Sequence, residues 1–220
     1  LAFKIIKSGI SDRLINGPIS KKSFLNKKYL GITEYISNYF NIKNTCMLIF
    51  NKKLSVATVT THLPLKLVHK SINKKNIQNK IELIHDFYKE QLNINPRIGV
   101  LGLNPHCESI LKFNEDEKII KPTIKTMKNK GYRISGPYSA DTIFLKNNRK
   151  NFDVIVGMYH DQVLAPFKAL FEFDAVNITL GLPYIRMSPD HGVAEDKKKL
   201  NISNPKSLNR CIDIISKLGK

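Results

Sequence analysis

The sequence predicts an α/β protein in which a mostly parallel sheet is covered by helices. Short apolar runs rich in Val, Ile and Thr alternate along the chain with longer segments whose apolar residues recur at helical spacing. Strands that alternate with helices are joined by crossovers, and such crossovers make neighbouring strands parallel. Hydrophobic residues make up 42% of the 220 residues and charged residues 25%, which is typical of a globular protein with a buried core.

Five apolar runs are predicted to be strands because they are short, rich in β-branched residues and bounded by polar or turn residues. They cover residues 46–50, 54–61, 97–103, 153–158 and 175–180. The first two are joined by a polar turn, and another short run, at 11–19, contains Gly17 and Pro18 at its end. The predicted sheet therefore has strands distributed over most of the chain.

Three segments are predicted to be helices, at 73–92, 115–130 and 205–218. Either Asn73 or Asn76 can cap the first of them, and the acidic start and lysine-rich end of the second suit the helix dipole. Pro122 is expected to kink the second helix. Asn204 is expected to cap the third helix, with Pro205 at its first position.

The formal net charge of +18 raises the possibility of a nucleic-acid or acidic membrane partner. The lysines are scattered among many Ile and Asn residues, and no nucleic-acid motif or aromatic platform accompanies them. We therefore expect no nucleic-acid partner, and we expect the positive charge to act on small anionic molecules instead. It can raise the local concentration of a phosphorylated or carboxylated substrate.

No apolar run approaches the roughly 20 residues that a membrane-spanning helix needs, and the first residues lack a signal-peptide pattern. We expect a cytoplasmic protein without a membrane partner. The cysteines Cys46, Cys107 and Cys211 have no CxxC spacing and are expected to be reduced thiols. Cys107 adjoins His106, so the alternative of a fourth metal ligand or a nucleophile stays open.

Three histidines each follow a strand-like run: His62, His106 and His160. Parallel sheets present ligands at the carboxyl ends of their strands, so the three imidazoles can converge. Three protein ligands with an open position hold a catalytic divalent metal ion. The alternative for each histidine is a hydrogen-bonded structural residue. Asp161, beside His160, is expected either to orient that imidazole or to face solvent.

Further along the chain, Lys168, Asn177 and Arg186 offer groups that bind phosphate, hydroxyl or carboxylate. Asn177 is the most informative of the three because it interrupts an apolar strand. The turn at 190–192 is interpreted either as a surface turn or as a nucleotide-binding loop. The sequence contains no GxGxxG, GxSxG, HExxH or P-loop motif.

The same residues lie in motifs that closely resemble the 4-hydroxythreonine-4-phosphate dehydrogenase family of pyridoxal 5'-phosphate biosynthesis. The motifs follow in order over nearly the whole chain: Asn16-Gly-Pro-Ile-Ser-Lys21, Gly31-Ile-Thr-Glu34, Thr60-Thr-His-Leu-Pro64, Gly102-Leu-Asn-Pro-His106, Gly136-Pro-Tyr-Ser-Ala-Asp-Thr142, Met158-Tyr-His-Asp-Gln162, Asn177-Ile-Thr-Leu-Gly-Leu-Pro183 and Pro189-Asp-His-Gly192. The resemblance implies a two-domain α/β fold like those of isocitrate and isopropylmalate dehydrogenases.

The resemblance also implies a division into two domains, of which the first is only partly contained in this sequence. The family carries further sequence before this region, so the first domain is expected to be largely absent from the chain. Residues 1–29 are expected to be its remnant, and residues 199–220 are expected to return to it. Residues 30–198 are expected to form the second α/β domain, with the metal site.

The implied reaction uses NAD to oxidise the C3 hydroxyl of 4-phosphooxy-L-threonine, after which the β-keto acid loses carbon dioxide and 3-amino-2-oxopropyl phosphate remains. The resemblance implies a homodimer that binds a divalent ion, Zn, Mg or Co, at the interface between its two subunits. By motif, the resemblance assigns the metal ion to His62, His106 and His160. It assigns the substrate to four residues, Thr33, Lys168, Asn177 and Arg186. It assigns the cofactor to Asp190, His191 and Gly192. The general base is not assigned.

The chain departs from the family pattern at three places. Ile32 replaces the histidine of a substrate-contacting His-Thr pair, Cys107-Glu108 replaces a longer Ala-Gly-Glu, and lysines at 197–199 replace a Gly-rich stretch. The first departure keeps open the same chemistry on another phosphorylated hydroxy acid, such as a phosphothreonate. A catalytically inactive binding module is the alternative from a different class.

Overall fold

A computed structural model describes residues 1–20, 28–29, 31–111, 113–192 and 204–218. The chain forms two compact units, a terminal unit made of Leu1–Asn51 and Phe171–Lys220 and a central unit made of Lys52–Leu170. These bounds differ from the predicted domains, which placed 30–198 together. The difference arises because strands from 46–50 and 176–189 pair with each other and with a strand near the amino terminus.

The described strands are, in chain order, β1 (Arg13–Ile15), β2 (Cys46–Phe50), β3 (Ser55–Thr58), β4 (Ile98–Leu101), β5 (Ile134–Tyr138), β6 (Val154–Gly157), β7 (Val176–Leu180) and β8 (Ile185–Pro189). The described α-helices are α1 (Ala2–Lys7), α2 (Ile32–Tyr39), α3 (Leu65–Ser71), α4 (Lys74–Leu92), α5 (Lys121–Asn129), α6 (Ala140–Ile143), α7 (Lys146–Arg149), α8 (His160–Phe171) and α9 (Lys206–Ile215). Strands and helices alternate, as the sequence predicts for an α/β fold.

The sheet of the central unit has the order β3-β6-β4-β5, and every pair of neighbours is parallel. Strands β3, β4 and β6 are buried along their whole length, as expected for parallel strands covered on both faces. Ile77, Ile81 and Ile84 of α4 are fully buried and make the apolar side of that helix. The arrangement puts the carboxyl ends of four neighbouring strands along one edge.

The strands of the terminal unit have the order β1-β8-β7-β2, and they are mixed in direction. Strand β8 is parallel to β1 but antiparallel to β7, and β7 is antiparallel to β2. The prediction of a mostly parallel sheet therefore holds for the central unit and is wrong for the terminal unit. The connection between β7 and β8 is a short turn with Gly181 at φ 87°, too short for a crossover.

The predicted helix at 73–92 is confirmed, and the Asn73 side chain accepts a hydrogen bond from the backbone N–H of Asn76 at 2.9 Å. The predicted helix at 115–130 changes near Pro122 from a π-type turn, Asp116–Ile120, to α5, and Pro122 lies in the first turn of α5. A first-turn proline removes no helix hydrogen bond, so α5 tolerates it. Helix α9 begins one residue later than predicted, so that Pro205, and not Asn204, is its N-cap residue.

The sequence analysis missed several elements, among them α2, α3, α8, β5 and β8. Helix α8 was missed because Pro166 lies inside it, and an internal proline usually ends a helix. No helix among the described residues is long and apolar enough to cross a membrane.

Candidate functional site

Three strands of the central unit lead directly to histidines. His62 follows β3, His106 follows β4, and His160 follows β6 and is the first residue of α8. Because β6 lies between β3 and β4, His160 has the middle position among the three. Each histidine thus leaves the sheet at its carboxyl edge, where α/β proteins bind ligands.

The segments that carry His62 and His160 stay paired beyond the ends of their strands. The backbone N–H of Val59 donates to the Gly157 carbonyl at 2.8 Å, and the Thr60 hydroxyl donates to the Met158 carbonyl at 2.7 Å. The two imidazole rings consequently lie with centroids 5.8 Å apart and planes tilted by 37°. Two imidazoles that share one ion at about 2.1 Å per bond have ring centres roughly 5 to 6 Å apart. The pair therefore fits a single divalent ion.

His160 is oriented by its neighbour in the sequence. The Nδ1 atom of His160 lies 2.6 Å from Oδ1 of Asp161, so Nδ1–H donates to the carboxylate. This contact leaves Nε2 as the nitrogen that can bind a metal ion. A carboxylate on the second ring nitrogen is a common feature of metal-binding histidines. Both expectations for Asp161 hold, because its carboxylate contacts the imidazole and its side chain is 83% exposed to solvent.

His106 lies apart from this pair. Among the residues that the structure describes, no group of three or more His, Cys, Asp or Glu side chains is close enough to hold a metal ion. His106 instead lies near Asp141, which follows β5. A hydrogen bond from Ser139 lowers the pKa of Asp141, and the charge of His106 lowers it further. The role of Asp141 was not predicted, although its motif was recognised.

The turn at His106 has an unusual backbone. His106 and Cys107 both have positive φ angles, 56° and 61°, in a short 3₁₀ turn that begins at Pro105. Left-handed conformations cost energy for residues other than glycine, so two in succession indicate a strained turn held by its surroundings. Such turns are found at ligand-binding sites more often than elsewhere.

Cys107 points into the protein. Its side chain is buried, and a Cβ atom added at Gly102 would lie 2.7 Å from its sulfur. Burial raises the pKa of the thiol, and the nearby carboxylate of Asp116 raises it further. Of the two interpretations of Cys107, the packed thiol matches this environment. A nucleophile would need a lowered pKa.

The loop before His106 is held by Asp116, a residue that the sequence analysis did not single out. Asp116 is fully buried, and its carboxylate accepts hydrogen bonds from the backbone N–H groups of Leu103 and Asn104 at 2.7 and 3.1 Å. It also accepts one from the Asn104 side-chain amide at 2.8 Å. A buried carboxylate with several donors is a strong local anchor. Asp116 therefore fixes the path of the chain toward His106.

In the terminal unit, Arg186 is fully buried without a counter-ion among the described residues. Its Nε donates to Oδ1 of Asn16 at 2.7 Å and its Nη1 donates to the Thr179 hydroxyl at 3.0 Å. Its Nη2 is buried and has no hydrogen-bond partner in the described part of the chain. Burial lowers the pKa of Arg186 to about 10. A buried, unpaired guanidinium is costly unless an anion completes it.

Asn177 lies on β7, the strand next to Arg186. In the register of the two strands Thr179 faces Arg186 and Asn177 faces Ser188, so Asn177 and Arg186 project from the same side of the sheet. The Oδ1 atom of Asn177 is buried and has no hydrogen-bond partner among the described residues. Asn177 and Arg186 thus each carry a buried polar atom without a hydrogen-bond partner among the described residues, on the same side of the sheet.

The other predicted substrate residues, Thr33 and Lys168, have less distinctive surroundings. Thr33 is in the first turn of α2 and is only 6% exposed. Lys168 is half-buried on α8, and a helix rise of about 1.5 Å per residue places it roughly 12 Å along the axis from His160.

The predicted cofactor residues 190–192 directly follow β8. The backbone N–H of Asp190 donates to the Ser207 hydroxyl of α9 at 2.9 Å, and Nδ1 of His191 lies 2.9 Å from the carbonyl of Gly192. A Cβ at Gly192 would meet no atom of the described residues within 4 Å. The lysines at 197–199 lie outside the described residues.

Two curated relatives cover nearly all of the chain. The 4-hydroxythreonine-4-phosphate dehydrogenase of Sulfurihydrogenibium sp. (strain YO3AOP1) is 43% identical over 217 residues, which are 97% of this chain and 67% of the relative. The D-threonate 4-phosphate dehydrogenase of Pectobacterium atrosepticum is 34% identical over 229 residues, covering 100% of this chain and 70% of the relative. The chain spans 59% to 70% of the length of these and other curated relatives.

Solved structures have the same fold. The 4-hydroxythreonine-4-phosphate dehydrogenase of Klebsiella pneumoniae superposes with a TM-score of 0.80 at 30% identity, covering 98% of this chain and 67% of that one. Isocitrate dehydrogenase from Methylococcus capsulatus superposes with a TM-score of 0.61 at 11% identity, covering 98% and 71%. The predicted isocitrate dehydrogenase-like fold is thus confirmed.

A family model described as "Pyridoxal phosphate biosynthetic protein PdxA" matches residues 1–215. The match includes all the strands and helices of both compact units and every predicted site residue. Together with the relatives, it confirms the resemblance inferred from the motifs. The chain belongs to the pyridoxal phosphate biosynthetic protein PdxA family.

Proposed function

We propose that this chain is part of a dehydrogenase that uses NAD to oxidise the C3 hydroxyl of 4-phosphooxy-L-threonine. Loss of carbon dioxide from the resulting β-keto acid would give 3-amino-2-oxopropyl phosphate for pyridoxal phosphate biosynthesis. One structural observation carries the proposal: the imidazoles of His62 and His160 lie 5.8 Å apart at the carboxyl ends of neighbouring parallel strands. Membership of the family supports this reaction, because curated relatives are named 4-hydroxythreonine-4-phosphate dehydrogenases.

We assign a divalent ion, Zn, Mg or Co, to His62, His160 and, by resemblance, His106. The nitrogen donors suit such an ion, and the contact between Asp161 and His160 leaves Nε2 of that imidazole available. When bound, the ion supplies Lewis-acid chemistry, stabilising negative charge on the substrate oxygen during oxidation and decarboxylation. The protein contributes the positions of the histidines, which the strand ends and the Asp116 anchor restrain.

We assign the anionic groups of the substrate to Arg186 and Lys168, with Asn177 and Thr33 as further contacts. Arg186 supports this assignment best, because its Nη2 is buried and lacks a partner among the described residues. A carboxylate or phosphate would supply both the missing acceptor and the missing counter-charge. Fixed contacts to the anionic groups would orient the C3 hydrogen of the substrate toward the nicotinamide.

We assign the dinucleotide to the turn formed by Asp190, His191 and Gly192, where no atom of the described residues lies within 4 Å of a Cβ built at Gly192. We also propose a homodimer that shares the metal site. Three large apolar side chains just after His106 are exposed and suit a protein interface, namely Ile110, Leu111 and Phe113.

A second candidate substrate is D-threonate 4-phosphate, which the relative from Pectobacterium atrosepticum is named for. This molecule carries a hydroxyl where 4-phosphooxy-L-threonine carries an amine. Ile32, which replaces the family's substrate-contacting histidine, begins α2 and offers no polar side-chain atom at this position. Because the replacement changes the side chain at a substrate-contacting position of the family, both substrates should be tested.

The proposal is tested by measuring NADH formation and carbon dioxide release from both substrates with the purified, metal-supplemented protein. Arg186→Lys should raise the KM at least tenfold, since an ammonium group cannot reproduce a forked contact. Arg210→Lys is the matched control, because Arg210 pairs with Asp174 through Nε at 2.8 Å in the same unit. An unchanged KM in Arg186→Lys would contradict the assignment, and metal binding without turnover of either substrate would favour an inactive module.

A further inference from the structure

A cavity of about 670 Å³ opens beside β5, the last strand at one edge of the sheet. Its lining lies entirely within the central unit and includes Tyr138 and Thr142 of the motif at 136–142. The volume is typical of small-molecule binding sites, which measure roughly 300 to 1,000 Å³. No residue assigned above to the metal ion, the substrate or the cofactor lines this cavity. It is therefore separate from the residues that the proposed function uses.

Two aromatic rings form the apolar part of the cavity. The rings of Tyr138 and Phe152 are in edge-to-face contact, with centroids 5.2 Å apart. Phe152 lies against β4 at Gly99, where a Cβ atom would be only 2.9 Å from the ring. Ser135 is the register partner of Gly99 on β5 and is also small, so this face of the sheet stays open beside the rings. Such a lining suits an aromatic group, which packs favourably against the face or edge of another ring.

Two cations lie at the opening of the cavity. Lys128, in the last turn of α5, and Arg133, just before β5, both line the cavity and are exposed. Lys128 has no ion-pair partner among the described residues, and Arg133 donates a hydrogen bond only to the carbonyl of Asn95, at 3.4 Å. The described residues of the lining include no carboxylate. The opening therefore favours a negatively charged ligand.

Nearby carboxylates do not cancel this charge. Three of them contact basic side chains, in the pairs Asp153–Arg97, Glu82–Lys130 and Asp86–His85, at 2.9, 3.7 and 3.3 Å. Of these basic residues, only Arg97 lines the cavity. The pairs leave Lys128 and Arg133 as the cations in excess. A point charge and a forked guanidinium together suit the oxygens of a phosphate or a carboxylate.

We propose that this cavity is an accessory binding site for a small anion that carries an aromatic ring. The anionic group binds Lys128 and Arg133, and the ring lies against Tyr138 and Phe152. The hydroxyl of Ser135, which has no hydrogen-bond partner among the described residues, is a further donor to the ligand. The inference goes beyond the proposed function and depends on neither a metal ion nor a dehydrogenase reaction.

The test is a titration of the isotope-labelled full chain with phenyl phosphate and with benzoate, followed by NMR of the backbone amides. The amide signals of Ser135, Tyr138 and Thr142 should shift along saturable curves with a Kd of about 1 mM, which is ordinary for ligands of this size. Phenol supplies the ring alone and inorganic phosphate the charge alone. Each should bind roughly tenfold more weakly, because it makes only part of the contacts. The tighter of the two aromatic anions tells whether the site prefers phosphate or carboxylate.

Variants at the opening separate a specific site from general attraction by a basic protein. Lys128→Gln and Arg133→Gln should each weaken binding of phenyl phosphate by roughly threefold to tenfold, with a smaller effect at high salt. Lys125→Gln is the matched control, because Lys125 is an exposed lysine about one turn earlier on α5 that does not line the cavity. All three side chains are exposed, so the substitutions should leave the fold intact.

A fourth variant tests the space itself. Ser135→Leu puts a larger apolar side chain beside the rings and should abolish binding of both aromatic anions, although the cations remain. The charge variants decide the question if this one does not fold.

The contrary outcomes are specific. Saturable shifts that appear only near Arg186 or His160, with none on β5, would overturn the accessory site and leave the proposed function as it stands. Equal losses of affinity in Lys128→Gln, Arg133→Gln and Lys125→Gln would also overturn it, because they would reflect net charge alone. Binding at β5 in a chain that turns over neither proposed substrate would support the accessory site and contradict only the proposed function.

Discussion

Asn16 and Arg186 are joined by a hydrogen bond between residues 170 positions apart in the chain, with Nε of the arginine donating to Oδ1 of the asparagine at 2.7 Å. The bond leaves the guanidinium charge without a counter-ion, because asparagine is neutral. The buried arginine is thereby held in place and keeps its charge without a neutralising partner among the described residues. Within the Asn16-Gly-Pro motif, the asparagine therefore serves to hold the side chain of Arg186.

Asn16→Asp should raise stability and weaken substrate binding at the same time. The aspartate is nearly isosteric and supplies the counter-charge that the buried Arg186 lacks, so the unfolding temperature should rise. The neutralised guanidinium should then attract the substrate anion less, and the KM should increase roughly tenfold, equivalent to about 1.4 kcal/mol. Asn209→Asp, on the exposed face of α9, is the control. A KM that does not change would exclude a direct role for the Arg186 charge.

His62→Ala and His160→Ala should each remove both bound metal and activity. A two-nitrogen remnant of a three-histidine site binds an ion weakly, because each ligand contributes to holding it. His69→Ala, an exposed histidine on α3, should retain the metal content of the wild type. Elemental analysis of the purified proteins measures this. Metal content that survives in both site variants would show that the ion binds elsewhere.

Asp161→Asn should lower metal affinity by about 10-fold to 100-fold without abolishing it, as expected for a residue that orients a ligand. The amide no longer favours the protonated Nδ1 of His160, so the orientation and basicity of the imidazole change. The chain offers a closely matched control in Asp86→Asn, because Asp86 contacts Nδ1 of the adjacent His85 at 3.3 Å. Equal effects of the two substitutions on Zn²⁺ competition would refute the special role of Asp161.

Acid should weaken the central unit partly through Asp153. Burial alone would raise the pKa of Asp153, but two side-chain hydrogen bonds from Arg97, at 2.9 and 3.1 Å, one from its backbone N–H and its charge together lower the pKa below the ordinary value. A carboxyl group with a lowered pKa stabilises the fold above its unfolded-state pKa, and this contribution is lost as the pH falls through the folded-state value.

The free energy of unfolding should therefore decrease below about pH 4, and Asp153→Asn should reduce that dependence by roughly 1 kcal/mol, since the pair is partly exposed. Denaturant unfolding between about pH 3 and pH 6 measures the slope. Asp12→Asn, in an exposed pair with Arg13, should leave the slope as it is. Parallel curves for wild type and Asp153→Asn would rule out this contribution.

The sequence predicts the parts of the site that follow from strand ends. His62 and His160 could be placed because apolar runs mark the strands, and parallel strands deliver their carboxyl ends to one edge. Asn177 could be singled out because it interrupts such a run. These predictions depend only on local periodicity and one topological rule.

The remaining contacts depend on tertiary structure. Gln162 bonds to Gly102, which is 60 residues away, and no periodic pattern marks either residue as a partner of the other. Asp116 lies in an acidic helix start, where a carboxylate is expected on the surface, and yet it is buried beneath the loop before His106. The turn at His106 depends on these anchors, so its conformation could not be derived from local propensity.

His62 and His160 follow strands that are neighbours in the sheet, although α3 to α7 lie between them in the chain. An unfolded chain cannot hold these imidazoles together, so an ion bound by them acts as a native-state stabiliser. At a free concentration of about 100 times its Kd, such an ion would add about 2.7 kcal/mol to the free energy of unfolding. A metal-poor cell would then lose protein to proteolysis as well as catalytic turnover, because the metal-free chain unfolds more often.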